Sequence, residues 1–98
     1  MSKKEYYVYI MTNKNNTVLY TGVTNDIHRR LLEHRFGKGS QFVKKYQIWK
    51  LVYIEIFETA YDAIAREKQI KGGSRKKKLD MINRLNPQWK DLAEELLD

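Results

Sequence analysis

The apolar positions of the chain begin with two short runs rich in aromatic and β-branched residues, at positions 6–11 and 17–21. Between them, residues 13–16 read Asn-Lys-Asn-Asn, a composition typical of tight turns. Strand-forming residues on both sides of a turn predict a β-hairpin.

The expected register of this hairpin brings two tyrosines together. If the loop is symmetric and consists of residues 13–16, Thr12 pairs with Thr17, and counting back along both strands places Tyr9 directly opposite Tyr20. Packing is the usual role of paired aromatic residues on a sheet. Their hydroxyl groups would take part in chemistry only beside charged groups from other elements.

A helical pattern follows the hairpin. A helix is expected from residue 26 to about residue 36, capped at its N-terminus by Thr24 or Asn25. A short helical turn is expected at residues 40–46, and the apolar, β-branched run at residues 50–57 predicts a third, largely buried strand.

Two further helices complete the pattern. Thr59 begins a helix that extends to about residue 71, and Ser74 begins another, which ends before a short amphipathic tail. The order strand, strand, helix, strand, helix, helix predicts a three-stranded, mostly antiparallel sheet flanked by helices, in the α+β class. The apolar positions expected to face the core of these helices are Ala60, Ala63, Ile64, Ile70, Leu79, Ile82 and Leu85.

Length and composition favour a single folded unit. Ninety-eight residues, of which 42% are hydrophobic, suffice for one core but not for two. We therefore expect one domain over residues 1–98, with its core at about 5–85 and a helical tail at 86–98. There is no cysteine, no secretory pattern and no apolar run of the ~18 residues that a membrane helix needs. A cytoplasmic monomer without membrane association is the expectation.

The net charge of +7 is unevenly distributed. Residues 1–79 contain seventeen Lys and Arg against seven Asp and Glu, whereas residues 80–98 contain two against five. The basic character therefore belongs to the main body, as expected for a protein that binds a polyanion such as nucleic acid. Solubility alone would also account for a basic surface.

Glu67 is unusual because of where helical spacing places it. Counting from Ala60, Ala63 and Ile64, its carboxylate falls in the apolar stripe of its helix. A buried carboxylate costs several kcal/mol unless it is compensated. A divalent cation would compensate it, since Mg²⁺ is commonly held by one or two carboxylates together with waters and phosphates. So would a salt bridge to a nearby Arg or Lys.

Arg30 and His34 are polar residues that flank an apolar stripe one helix earlier. The planar guanidinium of Arg30 could stabilise charge on a phosphate, and His34 could position a water molecule or the leaving group. Their ordinary roles would be stacking on a tyrosine and completing the edge of the core.

A basic run crosses the boundary between the last two long helices: seven of the thirteen residues from 66 to 78 are Lys or Arg. Such a run beside a cleavage site would bind phosphates, although a solvated helix face is the alternative. Phe42 and Tyr46 lie beside other lysines and are candidates for stacking on bases. The candidate nucleic-acid-binding residues are Lys45, Arg66, Lys68, Lys71, Arg75, Lys76, Lys77 and Lys78.

Together these residues resemble the GIY-YIG nuclease superfamily, in particular its small stand-alone bacterial members of the YhbQ type. Tyr7-Val8-Tyr9 is similar to the first signature triplet of that superfamily and Tyr20-Thr21-Gly22 to the second. Arg30 and His34 match its helix motif, and Glu67 matches its metal-binding glutamate.

The resemblance implies hydrolysis of phosphodiester bonds by a mechanism close to one-metal catalysis. In that scheme Glu67 holds Mg²⁺ or Mn²⁺ and Arg30 stabilises the developing negative charge. Either Tyr9 or Tyr20, its pKa lowered by arginine and metal, assists the attacking water. Gly22 allows close approach of the backbone.

The chain departs from the superfamily pattern at several positions. Tyr7 stands where glycine is common, Thr21 where isoleucine is usual, and Val23 where many members carry lysine. The first two changes remove no reactive group, whereas the third weakens any role for a basic group there. The asparagine expected later in the site is either Asn83 or Asn86.

Two hypotheses follow from the sequence. The first is an endonuclease that acts on nucleic acid, DNA more than RNA, in repair or recombination, with a protein partner for targeting. The second is a non-catalytic nucleic-acid-binding module on the same scaffold. Such a module does not need Glu67, Arg30 and both tyrosines, so their presence favours the enzyme. A protein-interaction adaptor is a third possibility, suggested only by the acidic C-terminal tail.

Overall fold

The chain forms three strands and five helices in the computed structural model, which describes residues 4–37 and 40–96. The predicted order of elements is confirmed, with two short helices added at the expected turn and in the tail. In the described parts of the chain, no helix is both long and apolar enough to cross a bilayer. The elements are β1 (Tyr6–Thr12), β2 (Leu19–Thr24), α1 (Ile27–Arg35), α2 (Gln41–Lys45), β3 (Lys50–Phe57), α3 (Ala60–Gly72), α4 (Arg75–Leu85) and α5 (Ala93–Leu96).

The sheet has the order β2-β1-β3, and both pairings are antiparallel. This confirms the predicted α+β class. Successive side chains of the central strand β1 point to opposite faces of the sheet, and both faces are apolar. Val8 and Ile10 pack with buried residues of α3 and α4, whereas Tyr9 and Met11 pack with buried residues of α1, α2 and α5.

The predicted register of the hairpin is wrong by two residues. Thr12 pairs with Leu19, and Tyr9 lies opposite Gly22 instead of Tyr20. A shift of two residues keeps every side chain on its original face. Tyr9 and Tyr20 therefore still share one face, in diagonal positions.

The longer loop has a specific cause in the side chain of Asn13. Its Oδ1 accepts hydrogen bonds from the backbone N–H groups of Thr17 and Val18, at 2.8 and 3.1 Å. In addition, the hydroxyl of Thr12 donates to the carbonyl of Val18 at 2.7 Å. These bonds hold residues 13–18 as the loop, so β2 begins later than its composition suggests.

Capping side chains set the start of the helices. The predicted caps Thr59 and Ser74 are confirmed, since each accepts a hydrogen bond from a backbone N–H of the first turn. For α1 the cap is Asp26, so the prediction of Thr24 or Asn25 is wrong. The hydroxyl of Thr24 instead accepts a hydrogen bond from the backbone N–H of Asp26, at 3.1 Å.

The predicted core positions are only partly confirmed. Ala63, Ile70 and Ile82 are buried, but Ile64 is 44% exposed and Leu85 is 53% exposed. Ile64 lines an open cleft between α3 and α1, and Leu85 is the last residue of α4, where the helix reaches the open side of β3. Both residues follow the apolar spacing of their helices but lie beyond the area that the sheet covers.

Candidate active site

Tyr9 lies at the centre of the candidate site, fully buried on the middle strand. Its ring extends over Gly22 on the neighbouring strand: a Cβ atom at Gly22 would lie 2.4 Å from both Cζ and Oη of Tyr9. The glycine therefore makes room for the tyrosine ring, which in this structure is the group that approaches its backbone. The Tyr9 hydroxyl is thereby directed across β2, an edge strand.

Two other predicted site residues surround Tyr9. The ring centroids of Tyr20 and His34 lie 6.4 and 6.2 Å from that of Tyr9 and 5.8 Å from each other. The imidazole meets both phenol rings edge to face. The structure thus brings together three side chains from three different elements, β1, β2 and α1.

Several polar atoms of this cluster are buried without a hydrogen-bond partner among the described residues. They are Oη of Tyr9, both ring nitrogens of His34 and Nε of Arg30. Arg30 Nε lies 3.4 Å from a carboxylate oxygen of Glu33, close enough for an ion pair. Folded proteins pair nearly all their buried polar groups, so a cluster of unpaired ones suggests a place where a ligand or an ordered water binds.

Burial sets the protonation states of the cluster. It raises the pKa of Tyr9 above the ordinary value for tyrosine, and the positive charge of Arg30 only partly opposes this rise. Arg30 alone therefore does not bring the pKa of Tyr9 below its ordinary value. Burial also lowers the pKa of His34, and Arg30 lowers it further. At neutral pH Tyr9 is a hydrogen-bond donor and His34 is neutral.

Glu67 lies on the other side of the sheet from Tyr9, because its helix α3 packs on the face opposite Tyr9. Its side chain is 14% exposed, and its Oε2 lies 2.9 Å from Nζ of Lys71, one helical turn later. A salt bridge to a nearby lysine, one of the two compensations expected for this carboxylate, is thus present.

Two clefts along β2 locate Glu67 relative to the other site residues. The first, of about 300 Å³, is lined by Arg30 together with Ala60 and Ile64 of α3. Residues three, four and seven positions apart share one face of a helix. Glu67 therefore lies on the same helix face as Ala60 and Ile64. It is about one turn further along α3 than the residues that line this cleft with Arg30.

The second cleft, of about 260 Å³, is lined by Tyr20 and by Lys71, the ion-pair partner of Glu67. Glu67 therefore lies between a cleft that contains the arginine and a cleft that contains a tyrosine. Within the described residues, no hydrogen bond or ion pair joins Glu67 directly to Arg30 or Tyr20. The two clefts thus lie along the β2 edge of the sheet, with α1 packed on one face of the sheet and α3 on the other.

Comparison with known proteins decides the family. A family model described as the GIY-YIG catalytic domain matches residues 5–80. The chain belongs to the GIY-YIG family. The resemblance inferred from the two tyrosine-containing triplets is thereby confirmed, and the chain belongs to a nuclease domain family.

Individual relatives of this GIY-YIG protein bear the name UPF0213, which states no activity. A UPF0213 protein of Staphylococcus saprophyticus is 40% identical over 79 residues, which cover 81% of this chain and 95% of the relative. One from Syntrophus aciditrophicus is 43% identical over 89 residues, which cover 90% and 98%. The solution NMR structure of a UPF0213 protein from Bacillus halodurans matches with a TM-score of 0.58 and 30% identity, over 89% of this chain and 92% of that one.

The donor set of the GIY-YIG site fits one kind of metal ion. No group of three or more His, Cys, Asp or Glu side chains able to hold a metal occurs in the described parts of the chain. A single shielded carboxylate, that of Glu67, is compatible with Mg²⁺ or Mn²⁺, since such ions take oxygen ligands and commonly complete their shell with waters and substrate phosphates. Binding through both carboxylate oxygens would require Lys71 to leave Oε2.

The predicted nucleic-acid-binding residues fall into two groups. Lys68, Lys76 and Lys77 are exposed, and within the described chain their ammonium groups form no ion pair. Lys45 is also exposed, with its Nζ 5.4 Å from the centre of the Tyr46 ring. These side chains are available to a polyanion.

The remaining basic side chains have partners within the fold. Arg66 lies 3.0 Å from the carboxylate of Glu55 on β3, and Arg75 donates to the carbonyl of Thr17 at 3.0 Å. Lys71 and Lys78 line the cleft beside Tyr20. Arg66 is therefore committed to an ion pair on the β3 side, whereas Lys71 and Lys78 lie on the β2 side with the site.

The two candidate asparagines both hold the C-terminal part of the chain. Asn83 accepts a hydrogen bond from the indole nitrogen of Trp89 at 2.6 Å. The amide nitrogen of Asn86 donates to the carbonyl groups of Val52 and Lys90, at 3.2 and 2.8 Å. These contacts give both residues structural roles.

Phe42 joins the site although it belongs to no family motif considered above. Its ring centroid lies 6.0 Å from that of Tyr20. The sequence offered only one signal, an aromatic residue next to lysines. Its proximity to Tyr20 depends on how α2 packs, which no local pattern reveals.

Proposed function

We propose that this protein is a Mg²⁺- or Mn²⁺-dependent endonuclease that hydrolyses phosphodiester bonds in DNA, in repair or recombination. The observation that carries the proposal is the cluster of buried polar atoms from Tyr9, His34 and Arg30 at the β2 edge, none of which has a hydrogen-bond partner among the described residues. A phosphate group offers oxygen acceptors for the donors of Tyr9 and Arg30. Membership in a nuclease domain family supports the same activity.

Arg30 and Tyr9 are assigned to the phosphate. A guanidinium has five N–H donors in a planar fork, so the contact with Glu33 leaves donors for a non-bridging oxygen. Tyr9 remains protonated because burial raises its pKa, and its hydroxyl can donate a second hydrogen bond. Fixed donors directed at developing negative charge stabilise the transition state.

Tyr20 and His34 are assigned to the attacking water. Because burial raises its pKa, Tyr9 stays protonated at neutral pH and has no phenolate to accept a proton. Tyr20 is only partly buried and lines the open cleft. His34 is neutral and adjacent, so an unpaired ring nitrogen can accept a proton or orient the water. In this assignment Tyr20 accepts a proton from the water while it gives its own hydroxyl proton to the unpaired ring nitrogen of neutral His34, which becomes an imidazolium.

Glu67 is assigned to the divalent ion, which when bound would supply positive charge to the phosphate that is hydrolysed. The low exposure of the carboxylate limits competition from solvent. Lys71 neutralises Glu67 in the form described here and, once released, has its ammonium group free for a phosphate.

The deciding experiment measures cleavage of labelled branched, nicked, duplex and single-stranded DNA with Mg²⁺ or Mn²⁺. Glu67→Gln and Arg30→Ala should each slow cleavage at least ~100-fold, as expected when one group that stabilises the transition state is removed. Glu94→Gln, which neutralises an exposed carboxylate of α5, is the matched control and should cut like the wild type. Equal cutting by wild type and Glu67→Gln would refute the assignment of Glu67.

One observation favours a second candidate, a nucleic-acid-binding module without catalysis. The Glu67 carboxylate is already paired with Lys71, so the fold does not require a metal for charge balance. This candidate predicts that the wild type binds DNA but cuts none of the substrates in either metal.

A further inference from the structure

Aromatic rings continue from the site to the protein surface. Beyond Tyr20, the ring of Phe42 lies at 6.0 Å, and the ring of Tyr46 lies 4.7 Å from that of Phe42. Phe42 is 43% exposed and Tyr46 is 38% exposed. Lys45 lies over the Tyr46 ring, which places a positive charge at the outer end of this row.

The cleft beside Tyr20 has one aromatic wall and one cationic wall. Its volume of about 260 Å³ is below the roughly 300–1,000 Å³ of pockets that enclose a drug-sized ligand, so it has room for no more than one nucleotide of a longer strand. Its lining residues are Leu19, Tyr20, Thr21, Phe42, Lys71 and Lys78.

The two lysines of the cationic wall are held in place and still have donors to offer. Nζ of Lys78 donates to the backbone carbonyls of Lys71 and Gly73, at 3.4 and 3.3 Å. An ammonium group has three N–H donors, so each lysine retains at least one for a ligand. The fold thus positions two cations opposite an exposed ring.

We propose that this cleft binds one unpaired nucleotide, with its base stacked on Phe42 and its phosphate bound by Lys71 and Lys78. A side-chain ring can stack on a base only when the base has left the duplex stack. The substrate is therefore a nucleic acid with a single-stranded segment next to the scissile bond. The position of that bond rests on the proposed nuclease function, whereas binding in the cleft does not.

The test compares binding of single-stranded and duplex DNA by fluorescence anisotropy in EDTA, where no cleavage occurs. Phe42→Leu keeps an apolar side chain but removes the ring, and it should weaken binding of oligothymidylate about tenfold while leaving duplex binding unchanged. Phe42→Tyr keeps the ring and should bind like the wild type. Tyr61→Ala, which removes an aromatic residue that is 81% exposed on α3, is the matched control.

A direct readout separates stacking from a general loss of structure. A strand containing 2-aminopurine should change its fluorescence on binding to wild type and to Phe42→Tyr, but much less on binding to Phe42→Leu. Far-UV circular dichroism checks that each variant is folded. An oligouridylate strand tests whether RNA is bound in the same way, and dependence on Phe42 with either strand supports the cleft.

The proposal is overturned if Phe42→Leu binds single strands as tightly as the wild type, or if it loses single-stranded and duplex binding equally. Failure of the nuclease proposal gives a different result. In that case the wild type cuts nothing, yet binding of single strands still depends on Phe42. Cutting by the wild type, with no effect of Phe42→Leu on binding, would refute the cleft alone.

Discussion

The Tyr9 ring can lie against the backbone at position 22 only because Gly22 has no side chain. The backbone of Gly22 does not adopt the left-handed conformation that favours glycine, so its requirement is one of space. That space is filled by the phenol of Tyr9, whose ring is confined between β2 and the rings of Tyr20 and His34. The glycine of the second family triplet is thus part of the site through packing.

Gly22→Ala should destabilise the fold and disturb the site. The new Cβ would lie 2.4 Å from Tyr9 Cζ and Oη, and the buried ring cannot move freely, so we expect a loss of about 1–3 kcal/mol in the free energy of unfolding. Urea denaturation measures this loss, and cleavage assays measure the displacement of Tyr9.

Gly72→Ala is the control: it adds a methyl group in open space at the end of α3 and should be neutral or stabilising by up to ~1 kcal/mol. Equal stability of Gly22→Ala and wild type would contradict the packing argument.

Among the elements, periodicity predicted what is local and missed what depends on particular side chains. The third strand, residues 50–57, was predicted to the residue because its composition and length leave few alternatives. The register of the hairpin was missed because a shift of two residues preserves the hydrophobic pattern, and only the bonds of Asn13 reveal the longer loop. That Tyr9 and Tyr20 share a face was expected from the hairpin, and the family resemblance named His34 as a further residue of the site. The contact between Phe42 and Tyr20 was not, because it depends on tertiary packing.

The tail is attached to the sheet through Asn86, and this attachment can be tested. Asn86 is 6% exposed, donates to Val52 and Lys90, and accepts from the backbone N–H of Lys90. Asn86→Ala leaves these buried groups unpaired and should cost about 2–3 kcal/mol. Asn83→Ala is the control, since it loses only an exposed hydrogen bond to Trp89 and should cost less than about 1 kcal/mol. Urea denaturation measures both changes, and a larger cost for Asn83→Ala would show that the tail is held differently.

Across the whole molecule, the two edges of the sheet differ in how basic residues are used. On the β3 side Arg66 is neutralised by Glu55, whereas on the β2 side lysines line a cleft next to the site. The first turn of α4 contains no acidic residue and begins with Arg75, Lys76 and Lys77. Positive charge at the N-terminus of a helix opposes the helix dipole, typically by about 0.3–1 kcal/mol per residue. These three residues therefore lower the stability of the free protein. A polyanion bound at this helix end would neutralise their charge and remove the destabilisation.

This arrangement predicts opposite effects of one substitution on stability and on DNA binding. Lys76→Gln removes an exposed charge from the positive end of α4, so the free energy of unfolding should rise by roughly 0.3–1 kcal/mol. The same change should weaken DNA binding. A plot of log affinity against log salt concentration should become shallower by about 0.9 for duplex DNA and about 0.7 for single strands, the contribution of one phosphate contact. Anisotropy titrations at several salt concentrations and urea denaturation measure the two effects.

Lys90→Gln, which removes an exposed lysine of the tail, should leave the salt slope unchanged. If Lys76→Gln leaves the slope as in the wild type, Lys76 does not contact the DNA backbone and this prediction is wrong.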